Sequence, residues 1–397
     1  MGKIVTFVVL LYTVFFLISP GNDIFAGTTR GIKGDTLIIG IIMDQTGPAS
    51  DIGVAYAAGI RNYFRNTNET GGINGRKIKL ILEDDGYSMP RAIAAFKKLV
   101  FRDKVLMILG CGGTGQNTAL FPQIKKYRVP TNTVSWSWTM NDPVNKYVFT
   151  PGNDNKDEIK VIMDYIVKTM KAKDPRIALV SADVECGKSG FRVAEAKAKE
   201  YNVDLVGREI LPIGVLDAST QVLSLRKKKA THVITMITVG MSLALLKSAK
   251  TFNYDPIFFG TFHFFGDEVV EIARERAKSM YGVAAFGSWF DDNSGIVEMK
   301  RISLKYHPNM EPPNRYYIKG WITSKITYEG IKRSGKDLTP DRLVDALESI
   351  KDLDMKGLTG PINYSPKNHK GNSYARLYKA DIDKGYFVPV TEWTKPE

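Results

Sequence analysis

Residues 37–86 read LIIGIIMDQTGPASDIGVAYAAGIRNYFRNTNETGGINGRKIKLILEDDG, and this stretch decides the fold. The run Leu37–Ile42 is too short for a helix and too continuous for a one-sided strand. It predicts a parallel strand buried on both faces. After the loop Asp44–Gly53, Val54 to Thr67 has helical spacing, and Gly71-Gly72 stops that helix by allowing the positive φ its end needs. Lys77–Leu82 then reads as a second strand. Strand, right-handed crossover and parallel strand make one βαβ unit.

The alternation continues to about residue 290. Buried strands are predicted at Val105–Leu109, Ile177–Val180, Leu205–Ile210, His232–Ile237, Pro256–Phe259 and Tyr281–Phe286, with amphipathic helices such as Asp157–Lys171 and Gly190–Tyr201 between them. Short loops and Gly, Pro or Asp at the strand ends predict open parallel sheets covered by helices on both faces. So many strands would make an oversized single layer, so two sheets are expected. Phe149-Thr150-Pro151-Gly152 marks a first crossing between them, and Tyr281–Gly287 a second. Helices Ser294–Tyr306 and Arg315–Arg333 then return to the first lobe, and strands near Ala375–Lys379 and Phe387–Thr391 close the chain.

The loop Thr46-Gly47-Pro48 with Gly53, the turn and strand Gly71-Gly72-Ile73-Asn74-Gly75-Arg76-Lys77-Ile78-Lys79-Leu80, and the Glu83-Asp84-Asp85 that follows resemble the start of the periplasmic solute-binding proteins of branched-chain amino-acid and amide ABC transporters. The likeness covers roughly residues 35–395. It implies an α/β fold of two Rossmann-like, doubly wound lobes joined by three hinge crossings. Lobe one takes residues 35–150 plus 282–365, and lobe two takes 151–281 plus 366–397. It further implies a monomer that binds a small molecule and partners membrane permease subunits.

The N-terminus agrees with export. Lys3 precedes an apolar run from Ile4 to Ile18, then Ser19-Pro20-Gly21 and a small-residue exit at Ala26-Gly27. The run is short for a bilayer span and fits a signal-peptide core, which places the cut after residue 26. An uncleaved anchor is the alternative. No cysteine lies near the cut, which argues against a lipid-anchored form, so the mature chain is expected to be soluble and periplasmic.

The formal net charge is +13. A basic surface can serve nucleic acid, anionic lipid or an anionic ligand. Here the lysines are dispersed, and the densest cluster, Arg226-Lys227-Lys228-Lys229, sits at a helix end where cations favour the dipole. Nucleic-acid binding is therefore not expected. The two cysteines, Cys111 and Cys186, fall in different halves of the alternation and read as free thiols, with a disulfide between them as the alternative. In the family resembled, a cysteine at position 111 often pairs with one in the loop that here reads Gly86-Tyr87-Ser88.

Ligands of open α/β sheets bind at the carboxyl ends of the strands, where helix N-termini converge. The loops in that position are Asp44–Gly53, Gly110–Gly115, Ser135–Trp138, Asp183–Gly187, Thr238–Gly240 and Thr261–Gly266. The second matches G-x-G-x-x-G, but it follows the third strand, and Val129–Val134 beyond it has no carboxylate for a ribose. No dinucleotide or other cofactor is expected. The resemblance implies that Gly112 and Gly113 offer N–H groups and Thr114 a hydroxyl to a ligand carboxylate. It also implies that Ser135, Trp136 and Ser137 add donors and an aromatic wall. One of the two indoles of Ser135–Trp138 is expected in the core and at least one against a pocket.

In the second lobe the chain departs from the amino-acid binders. Cys186 and Val239 stand where ligand-stacking tyrosines are implied. Phe262 stands where an acid would meet an ammonium group, and none of Thr261 to Phe265 is acidic. An unpaired ammonium in an apolar pocket is costly, so a carboxylate on an aromatic or branched aliphatic body is the expected ligand. The four histidines lack metal-ligand spacing, and neither G-x-S-x-G nor Cys-x-x-Cys occurs. The function expected is a binding protein, not an enzyme. A sensory subunit that signals to a receptor is the alternative, and a Cys186-dependent enzyme with His263 as base ranks last.

Overall fold

The computed structural model describes residues 30–397, apart from Val184, Ile213, His263 and Phe264. The expected signal peptide lies outside the described residues. So does His263, the candidate base for Cys186. No helix among the described residues is long and apolar enough to cross a membrane.

The opening strand, Thr36–Met43, lies inside the first sheet, with Lys77–Asp84 on one side and Met107–Gly110 on the other, all parallel. Thr131–Thr133 and Val148–Phe149 extend the sheet beyond Met107–Gly110 in the same sense. Leu37, Ile39, Ile41 and Ile42 are wholly buried, as a strand covered on both faces requires.

The second sheet repeats this order. Its parallel strands run Asp204–Ile210, Arg176–Ser181, His232–Met236, Ile257–Gly260 and Met280–Ala284. Arg376–Asp381 and Tyr386–Pro389 then join antiparallel at the Met280–Ala284 edge. Each sheet places its first parallel strand inside and its second outside, with the third on the other side of the first, which is the doubly wound arrangement.

The helix after the opening strand spans Ser50–Glu69, longer at both ends than the sequence spacing suggests. It packs against the returning helix Arg315–Ser334. The approach is close in both directions: a Cβ on Gly59 would lie 2.2 Å from the Tyr317 carbonyl oxygen, and one on Gly320 would lie 2.1 Å from that of Tyr56. Glycine at both positions lets the backbones touch, and this pins the return segment to the first lobe. The helix expected over Asp157–Lys171 begins at Asn155 and is regular to Asp164, then widens into a π turn over Tyr165–Thr169. A helix at Pro340–Glu348 was not anticipated, although Thr339 caps it and Pro340 opens it.

The three crossings run side by side. Thr150 donates its N–H to the His369 carbonyl at 3.0 Å and accepts from Gly371 N–H at 2.9 Å and from the Tyr364 hydroxyl at 2.8 Å. The Thr359 hydroxyl donates to the Ala285 carbonyl, and Asn153 reaches the Tyr374 carbonyl. Hinge strands tied to one another in this way carry the lobes on one narrow joint.

Candidate functional site

The loop after Met107–Gly110 turns through left-handed backbone at Gly110, Cys111 and Gly112, with φ of 95°, 63° and 65°. A Cβ on Gly112 would fall 2.4 Å from Asp85 Oδ2, so the loop closes directly on that buried carboxyl. Asn117 gathers the turn by donating to the carbonyls of Cys111, Gly112 and Gly113. Gly113 then leads into the helix Thr114–Tyr127 with no side chain capping its first turn. Uncapped N–H groups at a helix N-terminus form a ready anion site.

Thr114 Oγ1 lies 3.0 Å from Ser135 Oγ. Ser135 Oγ accepts the N–H of Ser137 at 3.4 Å, and the Ser137 hydroxyl lies 2.7 Å from that of Thr139. Four hydroxyls thus follow the helix N-terminus in a row, on loops from two neighbouring strands. The row is tied to the second lobe through Asn155. Its side-chain oxygen accepts the Trp138 N–H at 3.4 Å, and its amide nitrogen donates to Ser189 Oγ at 2.9 Å. Ser189 in turn donates to the Cys186 carbonyl at 3.0 Å.

The aromatic residues divide as follows. Trp136 is 5% exposed and stacks on Phe262, with centroids 4.4 Å apart and planes 3° from parallel. Phe286, on the second crossing, meets both rings edge-on, and Tyr316 meets Phe262 in the same way. Trp138 lines a groove of about 310 Å³ beside Lys156, Lys160, Ser189 and Arg192, with Lys156 Nζ 3.4 Å above its ring. Trp136 is therefore interlobe core and Trp138 a groove wall.

Two buried ionisable groups flank the stack, and sequence reasoning had named neither. Lys319, on the returning helix, is 1% exposed; its ammonium donates to the Val134 carbonyl at 2.6 Å and lies 4.1 Å over the Trp136 ring. Burial pulls its proton affinity well below the ordinary lysine range. Glu158, on the helix Asn155–Asp164, is also 1% exposed and accepts the Phe262 N–H at 3.1 Å. Burial holds its carboxyl well above the usual carboxylate range. One signal for Lys319 was available: it is the one charge in the run Tyr316–Ile322. Glu158 sits in the acidic first turn of its helix, where carboxylates are favoured for the dipole alone, so its sequence gave no hint of burial.

Cys111 is buried and Cys186 half-buried, and no disulfide joins them. Burial pushes the Cys111 thiol up, away from the thiolate form. Val239 opens the helix Val239–Thr251 and is half-buried. Asp44, Asp84 and Asp85 bring one oxygen each within 4.8 Å of one another. Their hydrogen bonds show loop capping: Asp44 accepts from the N–H groups of Thr46, Gly47 and Ala49, and Asp84 takes Gln45 N–H, Gly86 N–H and Arg91.

A doubly wound pair of lobes on three hinges, with a donor row on one and an aromatic wall between them, defines a two-lobed ligand-binding protein. The profile of the Periplasmic binding protein family matches residues 36–385. The chain belongs to that family. It is 26% identical over 201 residues to an amino acid binding protein of Pseudomonas aeruginosa, spanning 49% of this chain and 52% of that one. It is 21% identical over 348 residues to the leucine-specific-binding protein of Salmonella typhimurium, covering 85% of this chain and 89% of that protein. Among solved structures, a branched-chain amino-acid ABC transporter protein from Thermus thermophilus with bound valine superposes with a TM-score of 0.81 at 24% identity, over 90% of this chain and 96% of the other. A fatty-acid ABC transporter substrate-binding protein from Thermomonospora curvata superposes at 0.79 and 19% identity, over 93% and 94%.

Proposed function

We propose that this chain is the exported solute receptor of an ABC importer. It clamps a small carboxylate-bearing organic molecule between its lobes and presents the closed form to the permease in the inner membrane. The observation that carries the reading is the row of hydroxyls Thr114, Ser135 and Ser137 at an uncapped helix N-terminus, beside the buried interlobe stack Trp136–Phe262. Donors of that kind suit an anion. Gly112, Gly113, Cys186 and Val239 complete the set of residues assigned to the ligand. Residues 35–150 with 282–365 move as one lobe and residues 151–281 with 366–397 as the other. The work is closure about hinges, not catalysis.

The relatives' named ligands include leucine and valine, and a fatty acid for one of similar fold, so the family supports a carboxylate without fixing the body. The test is a thermal-shift screen of amino acids, amides, aromatic acids and short-chain acids, followed by small-angle scattering with the best binder. A bound ligand raises the unfolding temperature by mass action and shrinks the radius of gyration. An unchanged scattering curve at saturation would remove the clamp. N-terminal sequencing of protein secreted by a Gram-negative host is expected to begin near Gly27; an intact Met1 in the membrane fraction would remove the export step.

A further inference from the structure

The groove beside Trp138 lies apart from the residues assigned to the solute, and its volume of about 310 Å³ is at the small end of the range for ligand sites. Two packed helices form it, Asn155–Asp164 and Glu185–Tyr201, and the Trp138 indole walls it. Val193 and Ala196 give it an apolar stretch, and Lys156, Lys160 and Arg192 surround that stretch with cations.

These charges do not cancel. Among the described residues that line the groove, Glu200 is the one acid, and it is tied to Lys197 at 2.9 Å. Lys197 is held besides by Asp164 at 3.0 Å and the Tyr201 hydroxyl at 2.8 Å, so that end is a closed network. Lys156 and Lys160 form no ion pair among the described residues. They stand one helical turn apart, a spacing that sets like charges side by side at a cost. Both are half-buried, and Lys156 Nζ lies 3.4 Å over the Trp138 ring. Arg192 adds a third cation from the facing helix. Cations gathered in a concavity concentrate anions there.

We propose that this groove is a second binding site, for a small organic phosphate: a dianionic phosphomonoester on a flat or apolar body. Three cations match a doubly charged head better than a single carboxylate, and lysine with arginine is a set suited to phosphate. The head lies among Lys156, Lys160 and Arg192, and the body lies along Val193, Ala196 and the indole. Trp138 follows the strand Thr131–Thr133 of the first sheet, whereas the cations come after the first crossing. The site is therefore completed across the contact that Asn155 makes with the Trp138 N–H. It does not depend on the identity of the solute.

The test is calorimetry with phenyl phosphate, inorganic phosphate and benzenesulfonate, which keeps the ring with one charge. Phenyl phosphate is expected to bind the wild type more tightly than either. Lys156→Gln and Lys160→Gln should each weaken it by roughly 5-fold, and Glu200→Gln should tighten it by removing the groove's acid. Circular dichroism checks that the variants fold. Thr114→Val and Ser135→Ala should leave phenyl phosphate unchanged; a loss there would put the anion on the hydroxyl row and overturn the proposal. It would also be overturned by no binding of phenyl phosphate, by equal binding in the lysine variants, or by either control binding as tightly. Flotation with phosphatidylcholine vesicles, with and without phosphatidate, separates the sources. Retention by phosphatidate that Lys160→Gln abolishes would assign a lipid headgroup, and phenyl phosphate binding without retention would assign a free organic phosphate.

Discussion

Phe262 of the second lobe lies flat against Trp136 of the first, with ring centroids 4.4 Å apart. One ring follows the strand Thr131–Thr133 and the other the strand Ile257–Gly260, so the stack bridges the two sheets at the carboxyl ends of their strands. Phe286 meets both edge-on from the crossing itself. The contact between the lobes is thus built from side chains of the loops after those two strands and of the second crossing.

A double-mutant cycle measures that joint. Trp136→Ala and Phe262→Ala each remove a buried ring and are expected to cost several kcal/mol, about 3–5 on average. The coupling between them should be about 0.5–1.5 kcal/mol beyond the area lost. Urea denaturation of the two single variants and the double variant gives the number. Strict additivity would show that the rings lie side by side without holding the lobes.

The buried pair predicts a pH profile. Glu158 is raised above its ordinary value of 4.5 by burial. Its contribution to stability is therefore complete below pH 4.5 and is lost as the pH rises through the folded value. Lys319 is depressed below 10.5 by burial, so its contribution is complete above that pH and is lost as the pH falls through its folded value. Glu158→Gln cannot ionise. Its stability relative to wild type is expected to improve between pH 4.5 and pH 8, and Lys319→Met should improve in the opposite direction, from high pH towards neutrality. Denaturant midpoints at the two pH values check this; a difference that does not move with pH would show that the groups stay in water-like surroundings.

The fold was legible because its signals are local. An apolar run of strand length, a helical spacing and a glycine pair sit within residues 37–86, and each reports on the backbone it belongs to. The helix Pro340–Glu348 carries the same kind of signal in Thr339 and Pro340. The proximity of candidate residues was legible where loops keep their place after a strand, as with Thr114 and Ser135, which the structure brings to 3.0 Å. It was not legible where a charged side chain is buried by another element. Glu158 and Phe262 are far apart in sequence and meet through one backbone N–H, and Lys319 reaches Trp136 from a helix that returns after the second lobe. Burial of a charge depends on the neighbours folded against it, and no spacing along one segment records them.

Gly112 offers a test of the donor loop. Its φ of 65° lies in the left-handed region, and an added methyl would meet Asp85 Oδ2 at 2.4 Å. Gly34 has a similar φ of 59° with nothing within 4 Å. Gly34→Ala is expected to lose only the conformational term, about 1–2 kcal/mol, while Gly112→Ala loses that and the contact with a buried carboxyl. Chemical denaturation of the two variants isolates the clash. Equal losses would mean that Asp85 swings away freely and that the loop is looser than its hydrogen bonds to Asn117 imply.

The hydroxyl row makes the sharpest claim about ligand chemistry. If Thr114 and Ser135 hold the carboxylate, then Thr114→Val and Ser135→Ala should each weaken binding by about 1.5–3 kcal/mol, the worth of a hydrogen bond to a charged acceptor. The loss should be the same for an amino acid and for its deaminated acid, because both keep the carboxylate. The two hydroxyls also lie 3.0 Å from each other, so removing one frees the other to reorient, and the double variant should lose less than the two single losses combined. Calorimetry with leucine and isocaproate on the three variants decides the matter. A loss confined to leucine would place the amino group, not the carboxylate, on the first lobe and reverse the ligand in the cleft.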